Sequence, residues 1–402
     1  MPDFTLLSAS SIAIIKAIYF NPDSTCLEIS KQVENSIPNV TKNINDLIKN
    51  GIVFENGHGS SRGGRKPLLY SLVPDSLYTV SVAMNQLNVQ AAIMDITGNI
   101  ISDIIEFDVD IYKDADTLEL VIEKVLHLIE VSAVERGKIM AVGISMPGVI
   151  DVERGVNKSY FKNHSKSIGD VLSERIGIPV FIDNDSAAIA LAELKLGLGR
   201  TIKEIMVVNI GWGIGLGMIV NGKIFRGATG YAGEFSHIPL FKNGKVCRCG
   251  KMGCLETETS LIIIANKAKA EIAGLRVADT DNMLEIINSV FALAREGNSA
   301  AIKLITEAGY HLGQAIAILI HIMNPQVVVL SGKGREAGRV WLAPIEQAIN
   351  ELCIPTLLNE SGVALSPIEK FAQLKGTAGM IIENLGTVLL KNEIHKKQLS
   401  HH

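Results

Sequence analysis

The chain reads as an α/β protein: a small module of three short helices and a β-hairpin, then two similar lobes of alternating strands and helices. Three observations predict this. The first 75 or so residues carry helical apolar spacing followed by two short strand-like runs. From about residue 78, apolar strands ending in turn residues alternate with helical stretches. That pattern then repeats in the second half of the chain. With 402 residues, the chain is too long for one core and suits two or three domains of roughly 100–200 residues.

The small module comes first. In 8–20, Ile12, Ile14, Ile15, Ala17 and Ile18 mark a mostly buried helix. Asn21-Pro22-Asp23 breaks it, and Asp23 or Ser24 is expected to cap a second helix to about Val33. Ser36 and Pro38 open a third, since proline is tolerated in a first helical turn. Val40, Ile44, Leu47 and Ile48 have helical spacing, and Gly51 ends the run. Strand-like runs at 52–55 and 68–72 flank a basic, glycine-rich loop at 56–67. Three helices and a hairpin describe a winged helix-turn-helix, whose third helix enters the major groove. Residues 1–75 hold seven Lys/Arg and seven Asp/Glu, but 36–66 holds five against two, a local +3. The expected DNA contacts are Asn39, Thr41, Lys42 and Asn43 on the third helix and Arg62, Arg65 and Lys66 on the wing.

The lobes follow. Strands at 78–83, 89–96 and 100–107 form a meander with a turn at Thr97-Gly98-Asn99, and a helix is expected over 116–136. The apolar run 139–145 ends in Met146-Pro147-Gly148. A strand at 180–183 leads through Asn184-Asp185 into a helix at 186–194. The second half has a strand at 204–209, a glycine-rich turn at 211–217, and a strand at 327–330 ending in Ser331-Gly332-Lys333-Gly334. Two lobes facing a cleft, with strand-end loops supplying the site, are the expectation.

Composition excludes several classes. At 47% hydrophobic and 20% charged, the chain can bury a core. A net charge of −4 gives no global basic field, so nucleic-acid contact needs a local patch. No apolar run reaches the roughly 18–20 residues of a membrane span, and no signal peptide is seen at the start. A cytoplasmic protein without membrane contact is expected.

Three of five cysteines lie within eight residues, Cys247-Arg-Cys249-Gly-Lys-Met-Gly-Cys254, and His237 precedes them by ten. Glycines at 250 and 253 allow a tight turn. One imidazole and three thiolates are a common tetrahedral set for structural zinc. One Zn2+ per chain on His237, Cys247, Cys249 and Cys254 is therefore expected. Cys26 and Cys353 stand alone and read as small apolar packing.

Gly230-Tyr-Ala-Gly233-Glu234-Phe-Ser-His237, with Cys247-x-Cys249-Gly-x-x-Gly253-Cys254-Leu-Glu256, resembles the signature of the ROK family (repressors, open reading frames and sugar kinases). The similarity extends to Ile144-Ser-Met-Pro147-Gly148-Val-Ile-Asp151, Asn184-Asp185, the turn at 211–217 and Gly332-Lys-Gly334. The resemblance implies an actin-like or ribonuclease-H-like pair of lobes, a zinc-ordered loop beside a sugar cleft, and a homodimer or homotetramer. It implies a winged helix over 1–75, a first lobe over 76–190 completed by a C-terminal helix at 375–395, and a second lobe with the zinc loop over 191–374. The family's sugar contacts fall on Asn184, Asp185, Glu234, His237 and Glu256, with Glu258 a close competitor for the last. Kinases of the family use an aspartate, here Asp185, as base and glycine-rich turns for ATP phosphates.

Two of those turns depart from the pattern. Where kinases read Asp-x-Gly-Gly-Thr, this chain has Ala83-Met84-Asn85-Gln86-Leu87-Asn88, without acid or glycine. Trp212 replaces the hydroxyl residue of the second turn. The expectation is a sugar- or sugar-phosphate-responsive DNA-binding regulator, a repressor, with no ATP-dependent activity. A symmetric dimer would read an inverted-repeat operator. Two alternatives stay open: a sugar kinase with an appended DNA-binding domain, and a sugar-binding module whose winged helix contacts protein.

Overall fold

A computed structural model describes residues 7–60, 66–161, 166–272, 275, 282–358 and 360–390. Arg62 and Arg65 of the expected wing contacts lie outside the described residues. The chain divides into two units, Met1–Lys195 with Gln373–His402, and Leu196–Ala372.

The first unit opens with the small module. Ser8 caps the helix Ala9–Phe20 by accepting from the Ser11 N–H. The second helix, Cys26–Gln32, is capped by Thr25, with a full capping box to Glu28. Neither Asp23 nor Ser24 takes that role. Asp23 instead sits at φ 59° and accepts from Asn56 and Ser71, both at 2.6 Å, tying the first interhelical turn to the hairpin. Those two bonds, Ser71's first, hold its carboxyl below the usual range. The third helix, Ile37–Lys49, buries Val40, Ile44 and Leu47 and ends before Gly51 at φ 68°. Strand Val53–His58 pairs with Leu68–Leu72, and Ser24–Thr25 adds to the far edge of the latter. This is the expected winged helix-turn-helix. Its first strand runs three residues beyond expectation, through a register shift between Glu55 and His58.

The rest of the first unit is a five-stranded sheet, in the order Val180–Asn184, Ile139–Met146, Tyr78–Met84, Asn88–Asp95, Ile105–Asp108. The first three are parallel and the last three antiparallel. Ile139–Met146 is buried along its whole length, as a central parallel strand should be. The third strand of the meander pairs regularly only from Ile105; Ile100 makes an isolated bridge to Met94. Helix Thr117–Val131 is shorter than expected, and Ile168–Ile176 adds a helix where no element was expected. Helix Ala372–Glu383 is tied to this sheet: Gln373 Nε2 donates to the Met84 carbonyl at 2.9 Å, and Thr377 and Ser145 share a 2.7 Å hydroxyl bond.

The second unit repeats the plan. Its strands lie in the order Lys223–Ile224, Ile214–Val220, Ile205–Ile210, Val327–Ser331, Gly362–Leu365, with the same parallel and antiparallel neighbours. In both units the first, second and third strands in sequence run outward from the middle, and the fourth and fifth extend the other edge. This is the doubled topology of the two-lobed expectation. Helices Leu261–Glu271, Met283–Arg295, Ser299–Met323 and Arg339–Leu352 cover this unit, with Phe291 and Trp341 fully buried. No helix among the described residues is long and apolar enough to cross a membrane.

Candidate metal centre and ligand-binding residues

His237 and the three cysteines lie in the second unit, on a loop held by its own backbone. The Phe241 N–H donates to the Gly253 carbonyl at 3.0 Å, Gly253 donates to Lys245 at 2.9 Å, and Cys247 donates to Lys251 at 2.7 Å. A short helix, Phe235–His237, presents the imidazole. The four ligand atoms all lie within 4.8 Å of one another. Cys247 Sγ is 3.6 Å from His237 Nδ1, and Cys249 Sγ is 3.6 Å from Cys254 Sγ. One ion can therefore sit among all four, with Nδ1 as the imidazole's ligand atom. Cys247 and Cys254 are buried and Cys249 is exposed. Without a metal, burial pushes the Cys247 thiol up, helped by its 2.8 Å bond to Glu256, and burial likewise raises Cys254. A metal that binds here displaces those protons.

Each ring nitrogen of His237 has an acidic neighbour. His237 Nε2 stands 3.8 Å from Glu234 Oε2, and Nδ1 stands 3.5 Å from Glu256 Oε1. Glu256 and Glu258 are now distinguishable. Glu258 pairs with Lys245 at 3.1 Å and Lys267 at 2.8 Å, a structural duty. Glu256 faces the cluster.

Asn184 and Asp185 lie in the first unit, at the carboxyl end of Val180–Asn184. Asn184 Oδ1 accepts from the N–H groups of Ser186 and Ala187 at 2.9 and 3.2 Å, so Asn184, not Asp185 or Asp183, caps the helix Asp185–Leu196. Its Nδ2 donates to the Gly148 carbonyl at 3.1 Å. That bond joins two neighbouring strand-end loops at one edge of the sheet. Asp185, on the first helical turn, accepts from the Ser186 N–H at 2.7 Å. Burial raises its carboxyl, partly countered by Ser186.

The third loop at that edge is closed from within. Asn85 Oδ1 accepts from the N–H groups of Leu87 and Asn88, both at 2.9 Å, and the Asn85 N–H goes to the Asn88 carbonyl at 2.9 Å. The backbone N–H groups of Asn85, Leu87 and Asn88 are thus already engaged. In the second unit, the Gly211 N–H is taken by Gly213 at 2.9 Å, and Trp212 is 9% exposed. Gly332 and Gly334 have a packing reason: a Cβ on either would run into Ile210. Lys333 pairs with Glu336 at 2.6 Å.

On the winged module, Asn39, Thr41 and Lys42 are exposed along the third helix, and so is Lys66 on the hairpin. Thr41 Oγ1 donates back to Ile37 at 2.9 Å. Asn43 is half-buried and largely occupied, accepting from Ser8 and Ser11 at 3.1 and 3.0 Å and donating to Asn39. Its main visible work is to hold the third helix to the first. Asn45 is exposed one turn on from Lys42. The i, i+3 spacing puts it on the same face as Lys42.

The sequence profile of the ROK family matches residues 81–383, and that of winged helix-turn-helix DNA-binding matches residues 7–53. A xylose repressor of Caldicellulosiruptor bescii is 27% identical over 398 residues, covering 96% of this chain and 98% of its own. The DNA-binding transcriptional dual regulator NagC of Escherichia coli K12 is 26% identical over 376 residues, covering 91% and 90%. Among solved structures, a ROK family transcriptional regulator described as a homologue of the E. coli MLC protein superposes with TM-score 0.75 at 24% identity, covering 96% of this chain and 99% of its own. A ROK family glucokinase from Streptomyces griseus, in complex with glucose and AMPPNP, superposes with TM-score 0.65 at 24% identity. It covers 75% of this chain and 98% of its own.

Proposed function

The chain belongs to the ROK family, and from that premise we propose that it is a sugar- or sugar-phosphate-responsive transcriptional repressor of carbohydrate genes. One observation carries the choice of regulator over kinase. A DNA-binding winged helix is joined to a sugar-kinase fold whose first phosphate turn spends its backbone donors on Asn85. The names of the relatives, xylose repressor and NagC, point the same way.

The proposed effector contacts are Asn184 and Asp185 on the first unit and Glu234, His237 and Glu256 on the second. Carboxylates accept from sugar hydroxyls, and the His237 Nε2–H donates once Nδ1 is bound to the metal. The metal is Zn2+, one per chain and structural. Zinc bonds of about 2.3 Å to sulfur and about 2.0–2.1 Å to nitrogen give tetrahedral edges of about 3.8 Å for S–S and about 3.5 Å for S–N. The 3.6 Å separations of both kinds match those edges. The proposed DNA contacts are Asn39, Thr41, Lys42 and Asn43, with Arg62, Arg65 and Lys66 from the wing. A homodimer or homotetramer in the cytoplasm would read an inverted-repeat operator.

The test is fluorescence anisotropy on DNA selected from a random pool, with and without D-xylose, N-acetylglucosamine and their phosphates. Sequence-specific binding that a sugar changes is the expected result. Sugar-dependent ATP turnover that disappears in Asp185→Asn would overturn it in favour of a kinase.

A further inference from the structure

The helix Asp185–Leu196 leads from the proposed effector contacts to the DNA-binding module. Ten residues after Asp185, about 15 Å along the axis, it sets Lys195 against Tyr19 of the helix Ala9–Phe20. Lys195 Nζ stands 3.1 Å from the centroid of the Tyr19 ring and donates to the Thr97 carbonyl, in the turn that follows strand Asn88–Asp95. Most of the connecting helix is buried, from Ser186 through Glu193 apart from Ala187. A close-packed helix of this kind shifts as a rod more readily than it bends.

The contact is tight but not satisfied. Tyr19 is 2% exposed, and its hydroxyl has no hydrogen-bond partner among the described residues. A buried unpartnered hydroxyl costs free energy that another arrangement can recover. Asp95, the acid that acts on Lys195, spends its own oxygens on Thr97 and Asn99. Burial brings the Lys195 amine down to about 7. An amine laid on a ring, a hydroxyl without a partner and an acid already committed leave this junction incompletely hydrogen-bonded.

We propose that Lys195 is the positioning residue that passes effector occupancy at Asn184 and Asp185 to the winged helix. The inference rests on the reading of this chain as an effector-responsive DNA-binding regulator. A sugar that engages Asp185 biases the helix along its axis. The shift loads or releases the Lys195–Tyr19 contact, and the DNA-binding module is held more or less firmly as a result. Lys195 touches neither the sugar nor the DNA in this scheme. Its loss removes the communication and leaves both binding events.

The experiment compares full-length wild type with Lys195→Met. Sugar affinity is read by calorimetry with D-xylose and N-acetylglucosamine, and operator affinity by anisotropy with and without the sugar that binds. Lys195→Met is expected to keep each separate affinity within about threefold of wild type. Its sugar-driven change in operator affinity should fall from about tenfold or more to under about twofold. Tyr19→Phe, which keeps the ring, should stay responsive. If Lys195→Met does not fold, Lys195→Gln, which keeps an N–H for Thr97, carries the same readout. A responsive wild type with an equally responsive Lys195 variant overturns this inference and leaves the regulator reading standing. A wild type that binds DNA and sugar with no effect of one on the other overturns both.

Discussion

Alanine at Gly253 and alanine at Gly250 should have very different consequences for the metal site, although both residues have positive φ, 75° and 87°. Either alanine incurs roughly 1–2 kcal/mol for the left-handed conformation. At Gly250 that is the whole cost, because a Cβ would meet nothing within 4 Å. At Gly253 the Cβ would come within 2.9 Å of the carbonyl carbon of Phe241 and nearer still to its oxygen. Relief requires the 241 and 253 segments to part. That strains the bonds from Phe241 to Gly253 and from Gly253 to Lys245, each worth about 1 kcal/mol net. The total is about 3–4 kcal/mol, with Cys254 displaced as well. Where metal binding and loop order are coupled, this cost appears in metal affinity. Competition against a chromophoric chelator should show zinc weakened about 5- to 30-fold in Gly250→Ala and on the order of 100-fold or more in Gly253→Ala. Equal losses in the two variants, or wild-type affinity in Gly253→Ala, would refute the reasoning about the Phe241 contact.

Three further outcomes are expected. Lys195 has a folded value of about 7 against 10.5 for a free lysine. Between those values the unfolded chain holds a proton that the folded one lacks, so stability rises with pH by up to about 1.4 kcal/mol per unit. Denaturant titrations from pH 7 to 10 should show that slope in wild type and lose it in Lys195→Met; the same slope in both would rule it out. Thr25→Ala breaks the capping box and should cost about 1 kcal/mol; unchanged amide exchange across Cys26–Gln32 would contradict this. Lys42→Ala should make the log–log salt slope of operator binding shallower by about 0.9 if Lys42 meets one phosphate. Lys49→Ala, which removes a lysine paired with Asp46 at 3.8 Å, should change it less, and an identical slope for Lys42→Ala and wild type would remove Lys42 from the contact set.

Much of the fold was legible because local punctuation agreed with tertiary demand. Ser8, Pro38 and Gly51 mark helix ends whose apolar stripes also meet in the module's core. The apolar run at 139–145 could only be a central strand. Misreadings arose where a distant partner took a residue away from its local role. Asp23 had the makings of a cap, but Asn56 and Ser71 claim it, and the Thr25–Glu28 box one turn on does the capping. Glycines 215 and 217 read as turn residues and instead lie within strand Ile214–Val220, whose alternating Ile214, Leu216 and Met218 were the better signal. The grouping of His237 with the three cysteines was legible from spacing, because the four residues are close in sequence. Which ring nitrogen faces it was not, and neither was the choice between Glu256 and Glu258. Those depend on the phase of a four-residue helix, Glu256–Thr259, and on where Lys245 and Lys267 fall.

The same loops at the carboxyl ends of strands can serve catalysis or sensing, and hydrogen-bond accounting separates the two. A kinase needs backbone donors left free to meet phosphate, so its turns are glycine-rich and internally unsatisfied. In this chain Asn85 occupies two such donors, and the Gly211 N–H is taken by Gly213. A polar side chain that saturates a turn makes it rigid at the same time. Asn184 does likewise, holding one helix start with Oδ1 and the Gly148 loop with Nδ2. Loops held in this way suit a sensor, which needs a ligand's small bias carried onward and not absorbed locally. One unsatisfied group of the first unit, the Tyr19 hydroxyl, lies beside Lys195 where the fold meets the DNA-binding module.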